Sequence, residues 1–265
     1  MTMLAFMLRD LKLYAQNPTF RRIQFVITGL FAFALFIVAY LQFLLSERHP
    51  QSHIGESIYA LLTPAYFLMS VALFVPLQVV ESIQMDRQPS NWAMLCLAPI
   101  GRTRILLGKL FAFLIATLWQ ALWVTPLFCF SAYTGGLPLR KLLLCLLVFL
   151  VASAFFALIG MAITLVSPAG RAVSRSYAVV LVVLFVPLIA PTWSAWVRLP
   201  AAVLDLMRIF SPFCVLIAVV TGKTQVALGF VPIWVWMCVF YAIFSTLLFW
   251  VCCADRSPLA RASID

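Results

Sequence analysis

Long apolar runs dominate this chain, and they leave few folds open to it other than a bundle of helices in a membrane. The chain of 265 residues is 65% hydrophobic and only 10% charged, with a mean hydropathy of +1.09. A soluble domain cannot bury that much apolar surface. Lipid cannot satisfy open backbone hydrogen-bonding groups, so helices are the favoured spanning element. The sequence therefore predicts an all-α integral membrane protein.

Six apolar runs approach or reach the length of about 20 residues that a spanning helix needs. We predict one transmembrane domain over residues 1–265, and we expect its six spans at 23–45, 58–80, 105–130, 142–166, 177–191 and 231–253.

The distribution of Lys and Arg predicts the orientation. If the N-terminus is cytoplasmic, about two thirds of the 18 Lys and Arg residues fall on the inner side, as the positive-inside rule expects. Both termini are therefore predicted to be cytoplasmic. This topology, with contact to anionic inner-leaflet lipid, explains the net charge of +10. The sequence has no compact basic domain, so nucleic acid is not an expected partner.

Residues 1–20 predict an interfacial helix that ends at Asn17-Pro18. A frayed polar tail is the alternative. The apolar face is expected to carry Leu4, Met7, Leu8, Leu11 and Ala15, and the polar residues Arg9, Asp10, Lys12 and Gln16 are expected to lie mostly opposite.

Residues 192–230 predict an outer re-entrant or interfacial helical segment before the last span. An amphipathic piece at 201–209 is followed by an apolar run at 211–222 that is too short to span. We expect this run to be buried against protein. A short seventh span, which would put the C-terminus outside, is the alternative.

Few residues suggest catalysis. The chain has no Walker-type loop, no G-x-S-x-G elbow and no H-E-x-x-H pair. His49 and His53, beside Glu47 and Glu56, fit a solvated loop better than a metal site. The spans lack a cluster of carboxylates, which argues against ion-driven transport. Gln78 and Gln120 either line a pathway or bond across a helix interface.

The segment 81–104 is polar, charged and rich in proline, and it carries an apolar patch. In this segment the chain resembles the permease subunits of ABC-2 type ATP-binding-cassette transporters. That family tends to show an acidic–Arg pair, then Gly-Thr-Leu-Glu and leucines, then Pro, a basic residue and Gly-Lys. In the same order the chain has Asp86-Arg87, Leu95 and Leu97, Pro99, Arg102, and Gly108-Lys109. It departs from the family at Ser90-Asn91-Trp92-Ala93, where Gly-Thr-Leu-Glu is usual.

The resemblance implies a coupling helix in this cytoplasmic loop. Ser90 or Asn91 would be its N-cap, and Trp92 and Leu95 would anchor it in a groove of a partner ATPase. Contact of the patch with lipid headgroups is the alternative. The remaining expected site residues are Pro99 in the protruding turn and Asp86, Arg87, Arg102 and Arg104 in a charged rim.

The resemblance also implies the partners and the location. We expect an ABC-type ATPase, a second permease in a homo- or heterodimer, surrounding membrane lipid, and a bacterial cytoplasmic (inner) membrane. The chain itself would be no enzyme and carry no cofactor, because ATP and magnesium would bind the ATPase. Substrate, by default exported, would pass between the permeases near Gln78 and Gln120, with Pro187 as a kink point. A membrane anchor that recruits a soluble partner without transport is the alternative function, and a lipid-modifying enzyme is a more distant one.

Overall fold

The structure is a computed structural model, and the part of the chain that it describes is helical with short connections and without β-strands. The described residues are 3–46, 62–67, 70–71, 75–88, 91, 101–135, 138–193, 201–222 and 231–254. We number their helices α1 (Met3–Gln16), α2 (Pro18–Ser46), α3 (Val75–Asp86), α4 (Arg102–Gly135), α5 (Leu139–Val166), α6 (Ala169–Trp193), α7 (Ala201–Phe210), α8 (Pro212–Thr221) and α9 (Ile233–Ala254). Residues 62–67 are also helical.

Within the described residues, three helices are long and apolar enough to cross a membrane: Thr103–Pro126 within α4, Leu139–Val166, which is α5, and Ile233–Cys253 within α9. This confirms that the described part of the chain is helical and has helices of membrane-spanning length at three of the predicted spans. The predicted spans 23–45 and 177–191 fall inside α2 and α6. Of 58–80, the structure describes 62–67, 70–71 and 75–80. That these three segments cross the membrane stays a prediction.

Helix α5 lies at the centre of the bundle and packs against α3, α4, α6, α8 and α9. A helix that is hydrophobic all round is expected to be buried, and α5 is buried over its middle, whereas Leu143, Leu147 and Val166 are exposed. Its buried residues include Ala152, Phe156, Ala157 and Met161, each at most 1% exposed. The two alanines leave room for neighbouring helices to approach, while the larger side chains fill the space between them.

Aromatic rings connect the helices around α5. Phe67 makes edge-to-face contacts with Phe149 of α5 and Phe213 of α8, with ring centroids 5.6 and 5.8 Å apart. On the other side of the bundle, Phe155 of α5 stacks on Tyr241 of α9 at 4.5 Å. Such geometries complement the ring quadrupoles. The rings therefore fix how residues 62–67, α8 and α9 sit against the centre.

The segment 201–222 forms two short helices that break at Ser211. The Ser211 hydroxyl accepts a hydrogen bond from the Cys214 backbone N–H at 3.4 Å, and Pro212 occupies the first turn. Gly222 ends α8 with a φ of 74°, a conformation that glycine adopts without strain. The ten residues of α8 extend about 15 Å, half of a hydrocarbon core of about 30 Å. A seventh span therefore does not fit α8.

Helix α1 packs along the first half of α4, and this corrects the predicted placement of one residue. Asp10 was expected on the polar face, but it is 1% exposed. Tyr14, one turn further on, packs against Ala112 and Ala116 of α4. The buried face of α1 is thus centred on Asp10 and Tyr14, because α4 offers a cation and small residues there. Leu8, from the predicted apolar face, is 55% exposed.

Tyr241 offers a test of how α9 is held. Its hydroxyl donates to the Phe210 carbonyl oxygen at the end of α7, at 2.8 Å. We expect Tyr241→Phe to lower the free energy of unfolding by about 1 kcal/mol, because a buried acceptor loses its donor. Thermal unfolding in a mild detergent would measure this. Tyr40→Phe, at an exposed tyrosine, is the matched control, and equal stability of the two variants would contradict the assignment.

Candidate functional site

Three helices bring ionic side chains together at one end of the bundle. We call Arg9 and Asp10 of α1, Asp86 of α3 and Lys109 of α4 the charge cluster. The ammonium Nζ of Lys109 lies 3.1 Å from Asp10 Oδ2 and 2.8 Å from Asp86 Oδ2. It also donates to the Ser82 hydroxyl at 2.6 Å and to the Ser82 carbonyl oxygen at 3.1 Å. Lys109 therefore joins α1 and α3 to α4.

Arg9 completes the cluster from its more exposed side. Its Nη2 lies 2.9 Å from Asp10 Oδ1 and 2.8 Å from Asp86 Oδ1. Burial lowers the pKa of Arg9, but the attraction of Asp86 and the hydrogen bond to Asp10 outweigh it and leave that pKa raised. Each carboxylate thus binds one cation from each side, and the two positive and two negative charges balance.

Helical spacing explains why these side chains meet. Lys109 shares the buried face of α4 with Ala112, Phe113 and Ala116, at intervals of three and four residues. The small alanines let α1 approach closely. On α3, Ser82 and Asp86 are four residues apart and point the same way.

The charge cluster is deeply buried, and this decides its energetic role. The side chains of Lys109 and Asp10 are 4% and 2% exposed. Removing one partner of a buried ion pair typically costs about 3–5 kcal/mol, because the remaining charge is left uncompensated. The cluster therefore fixes the arrangement of α1, α3 and α4 more through the cost of breaking it than through a net gain on forming it.

Arg87 connects the end of α3 to the end of α5. Its guanidinium donates to the carbonyl oxygens of Leu165 at 2.9 Å and Ser167 at 3.2 Å. These carbonyls lie at a helix C-terminus, where backbone acceptors are unsatisfied and a cation is favourable. The Ser167 hydroxyl also accepts from Arg175 Nη1 of α6 at 3.3 Å. The turn between α5 and α6 is thereby tied to α3.

The predicted coupling residues that the structure describes do not share one environment. Asp86 is 8% exposed, and Asp86 and Arg87 bind groups of the same chain. The Asn91 side-chain amide donates to the Met85 carbonyl oxygen of α3 at 2.8 Å. Arg104 is exposed, and Arg102 starts α4 with its side chain outside the described part. Ser90, Trp92, Leu95 and Pro99 lie outside the described residues, so their contact with an ATPase stays a prediction.

The predicted pathway residues are buried within the helices. Gln78 of α3 is 4% exposed, and among the described residues neither its amide oxygen nor its nitrogen has a hydrogen-bond partner. Gln120 of α4 is 2% exposed, and its amide nitrogen likewise has no partner in the described part of the chain. The described residues therefore show no hydrogen bond between these two side chains. Pro187 lies within α6, which stays helical through it, and its side chain is outside the described part.

A cavity of about 350 Å³ lies between α1 and α3, beside the charge cluster. Its lining includes Asp10, Tyr14, Gln78 and Glu81. Burial raises the pKa of the Glu81 carboxyl, and it raises the pKa of the Tyr14 hydroxyl as well. The Tyr14 hydroxyl points to the Gln78 carbonyl oxygen at 3.4 Å. The cavity thus presents a carboxyl group and an unsatisfied amide to a ligand.

Sequence reasoning missed the central part of the charge cluster. The sequence identifies Lys109 only as the second residue of a Gly-Lys pair, and it predicts Asp10 on the polar face of α1. A signal was present in α4, where Lys109 continues the spacing of Ala112 and Ala116. A lone lysine on a stripe of small residues indicates a buried partner from another helix.

In the described part of the chain, no group of three His, Cys, Asp or Glu side chains converges. His49 and His53 lie outside the described residues.

No protein-family model matches this chain, and no curated protein matches its sequence. The resemblance to ABC-2 permeases therefore stays a prediction from the order of motifs in the sequence and from the predicted topology.

Lys109 gives the sharpest test of the charge cluster. Lys109→Met leaves Asp10 and Asp86 buried with Arg9 alone, and we expect a loss of about 3 kcal/mol in the free energy of unfolding. Lys12→Met makes the same chemical change at an exposed position of α1 and should change stability little. Denaturant titration in detergent micelles measures both. A loss no greater for Lys109→Met than for Lys12→Met would contradict the burial of this ion network.

The raised pKa of Glu81 predicts the direction in which the stability of the fold changes with pH. Because its pKa is raised in the folded state, folding is favoured while Glu81 is protonated, and this contribution is lost as the pH rises through the pKa values of the unfolded and folded states. We expect Glu81→Gln to raise the unfolding temperature at about pH 7 and to leave it unchanged at about pH 3, below the usual glutamate pKa of about 4.3.

Glu81→Asp keeps the charge and is the control for this experiment. A Glu81→Gln variant no more stable than the parent chain at neutral pH would show that the carboxylate is not penalised by burial.

Proposed function

We propose that this chain is the permease subunit of an ATP-binding-cassette transporter of the ABC-2 type, which forms a substrate pathway while a separate cytoplasmic ATPase hydrolyses ATP. The observation that carries this proposal is the anchoring on both sides of the segment between α3 and α4. Asp86, at the end of α3, is ion-paired to Lys109 in the second turn of α4. Arg87 holds the same end of α3 to the end of α5.

This anchoring suits a segment that transmits force. A displacement of the residues between Arg87 and Gly101 would be carried into α3, α4 and α5 together. The buried Asp86–Lys109 ion pair joins α3 to α4 and is costly to break, and the hydrogen bonds of Arg87 join α3 to the end of α5. Packed helices have discrete arrangements, so a small shift at one end can produce a different packing at the other. An ATPase bound to this segment would thereby act on the central helix of the bundle.

The proposal includes the finer topology. Six spans cross the membrane with both termini cytoplasmic, which puts the charge cluster on the cytoplasmic side. Helix α1 lies at the interface, and α7 and α8 form the outer re-entrant segment. The apolar ten-residue α8 supports this, because Val215, Leu216 and Val220 are fully buried in the bundle.

The proposed pathway lies between two permeases, at the helices that carry Gln78, Gln120 and Pro187. Gln78 lines the cavity between α1 and α3, and among the described residues its buried amide has no hydrogen-bond partner. Leaving such a group unpaired costs about 1–3 kcal/mol, and a polar group of a passing substrate would remove that cost. Export is the direction proposed.

Trp92 is the residue on which to test coupling. The chain, purified from its host in mild detergent, is expected to retain an ATPase identifiable by mass spectrometry. Trp92→Arg should weaken this association by about thirtyfold, since a buried aromatic anchor typically contributes about 2 kcal/mol or more. Leu95→Glu should act in the same direction. Trp250→Arg is the matched control, at a tryptophan of α9 that is 68% exposed.

Retention of both ATPase binding and transport by Trp92→Arg and Leu95→Glu would contradict the coupling assignment. A partner without ATPase activity, lost in the same variants, would favour the membrane anchor instead. Uphill transport by the purified chain alone in vesicles would overturn both.

A further inference from the structure

A second cavity, larger than the one beside the charge cluster, is lined by neither Gln78 nor Gln120. It measures about 590 Å³ and is bounded by α1, α2 and α4. Binding sites for small molecules typically measure about 300–1,000 Å³, so this cavity can hold part of an amphiphile. The charge cluster does not line it.

Aromatic rings form one wall of this cavity. Trp119 and Trp123 of α4 contact each other edge to face at 6.5 Å, and Phe25 of α2 contacts Trp123 at 6.2 Å. All three rings are about half exposed or more, at 58%, 49% and 68%. They belong to helices of a membrane protein, so their exposed faces form an apolar surface suited to a hydrocarbon chain.

Arg21 adds a positive charge to this apolar surface. It lines the cavity and is exposed. Among the described residues, its guanidinium has no carboxylate partner, unlike Arg9, whose charge is balanced by Asp10 and Asp86. A guanidinium offers a planar set of donors that matches a phosphate group.

Gln24 of α2 supplies a second hydrogen-bond donor to the cavity lining, one turn from Arg21. Its amide nitrogen is buried and has no hydrogen-bond partner in the described part of the chain. Rotation of this flexible side chain would turn the N–H toward the cavity, where a ligand oxygen would satisfy it. By contrast, the Tyr14 hydroxyl in the same lining is directed at the Gln78 carbonyl oxygen.

We propose that this cavity binds an anionic phospholipid of the surrounding membrane. The phosphate group pairs with Arg21 and accepts from Gln24, and an acyl chain lies along Phe25, Trp119 and Trp123. Charge complementarity selects an anionic lipid, because the headgroup of a zwitterionic lipid carries its own cation and gains less from the guanidinium. The inference does not depend on the proposed transport function.

Arg21 and its neighbour Arg22 provide a matched pair of variants. Both arginines are exposed on the same turn of α2, and only Arg21 lines the cavity. Arg21→Gln and Arg22→Gln remove the same charge, so general attraction to an anionic membrane changes equally in both. The specific site is lost only in the first. Arg21→Lys keeps the charge and should bind at an intermediate level.

The experiment measures binding of phosphatidylglycerol and phosphatidylcholine to the full chain by native mass spectrometry in detergent. We expect phosphatidylglycerol to bind more tightly than phosphatidylcholine, and Arg21→Gln to weaken its binding by about tenfold, the effect of losing one charged hydrogen bond. Arg22→Gln should bind nearly as tightly as the parent chain. Equal weakening by the two substitutions, or equal binding of the two lipids, would overturn the proposal.

A second measurement locates the acyl chain. In nanodiscs, phosphatidylglycerol with brominated chains should quench tryptophan fluorescence more strongly than brominated phosphatidylcholine. That difference should disappear in a Trp119→Phe, Trp123→Phe double variant. A quenching difference that persists in this double variant would place the lipid elsewhere. Displacement of bound phosphatidylglycerol by a soluble peptide from a partner protein would instead assign the cavity to protein docking.

Discussion

The burial of Lys109 between two carboxylates constrains the rest of this end of the molecule. An ammonium group at 4% exposure is unfavourable unless its charge and its three donors are matched. Asp10 and Asp86 match the charge, and Ser82 supplies the remaining acceptors. Because these groups come from different helices, α1, α3 and α4 can form this end of the bundle only in one relative arrangement. The end of α3 and the start of α4 are therefore held in one position relative to each other.

The apolar part of the molecule follows a simpler rule. Helix α5 is surrounded by neighbours, whereas α9 presents Val239, Ile243, Leu247, Trp250 and Val251 on an exposed face. An apolar stripe of this length would be exceptional on a soluble monomer, and it is suited to contact with membrane lipid. The bundle is therefore organised from the centre outward by apolar packing, while the ionic contacts set the register at one end. Apolar packing and ionic contacts are thus two separate contributions, and helix α3 takes part in both.

Much of the helical architecture could be predicted from apolar periodicity. The runs at 105–130, 142–166 and 231–253 correspond to α4, α5 and α9, because a helix is the way for an apolar run to satisfy its backbone in lipid. The break before the last span was also readable, since Ser211-Pro212 and Gly222 are strong signals for the start and end of a short helix. By contrast, periodicity put Asp10 on the polar side of α1, because a single sequence contains no information about which helix will supply a cation.

The sequence alone determined that this chain is helical and suited to a membrane, because those properties depend on local composition and spacing. It also showed Asp86-Arg87 and Gly108-Lys109 in the motif order that resembles the permease family. Only the tertiary structure decided that Asp86 and Lys109 pair with each other and with α1, and that Arg87 binds the carbonyl oxygens at the end of α5. The physical reason is that an ion pair requires two atoms within a few ångströms, and helix packing brings together residues as far apart in the chain as Asp10 and Lys109.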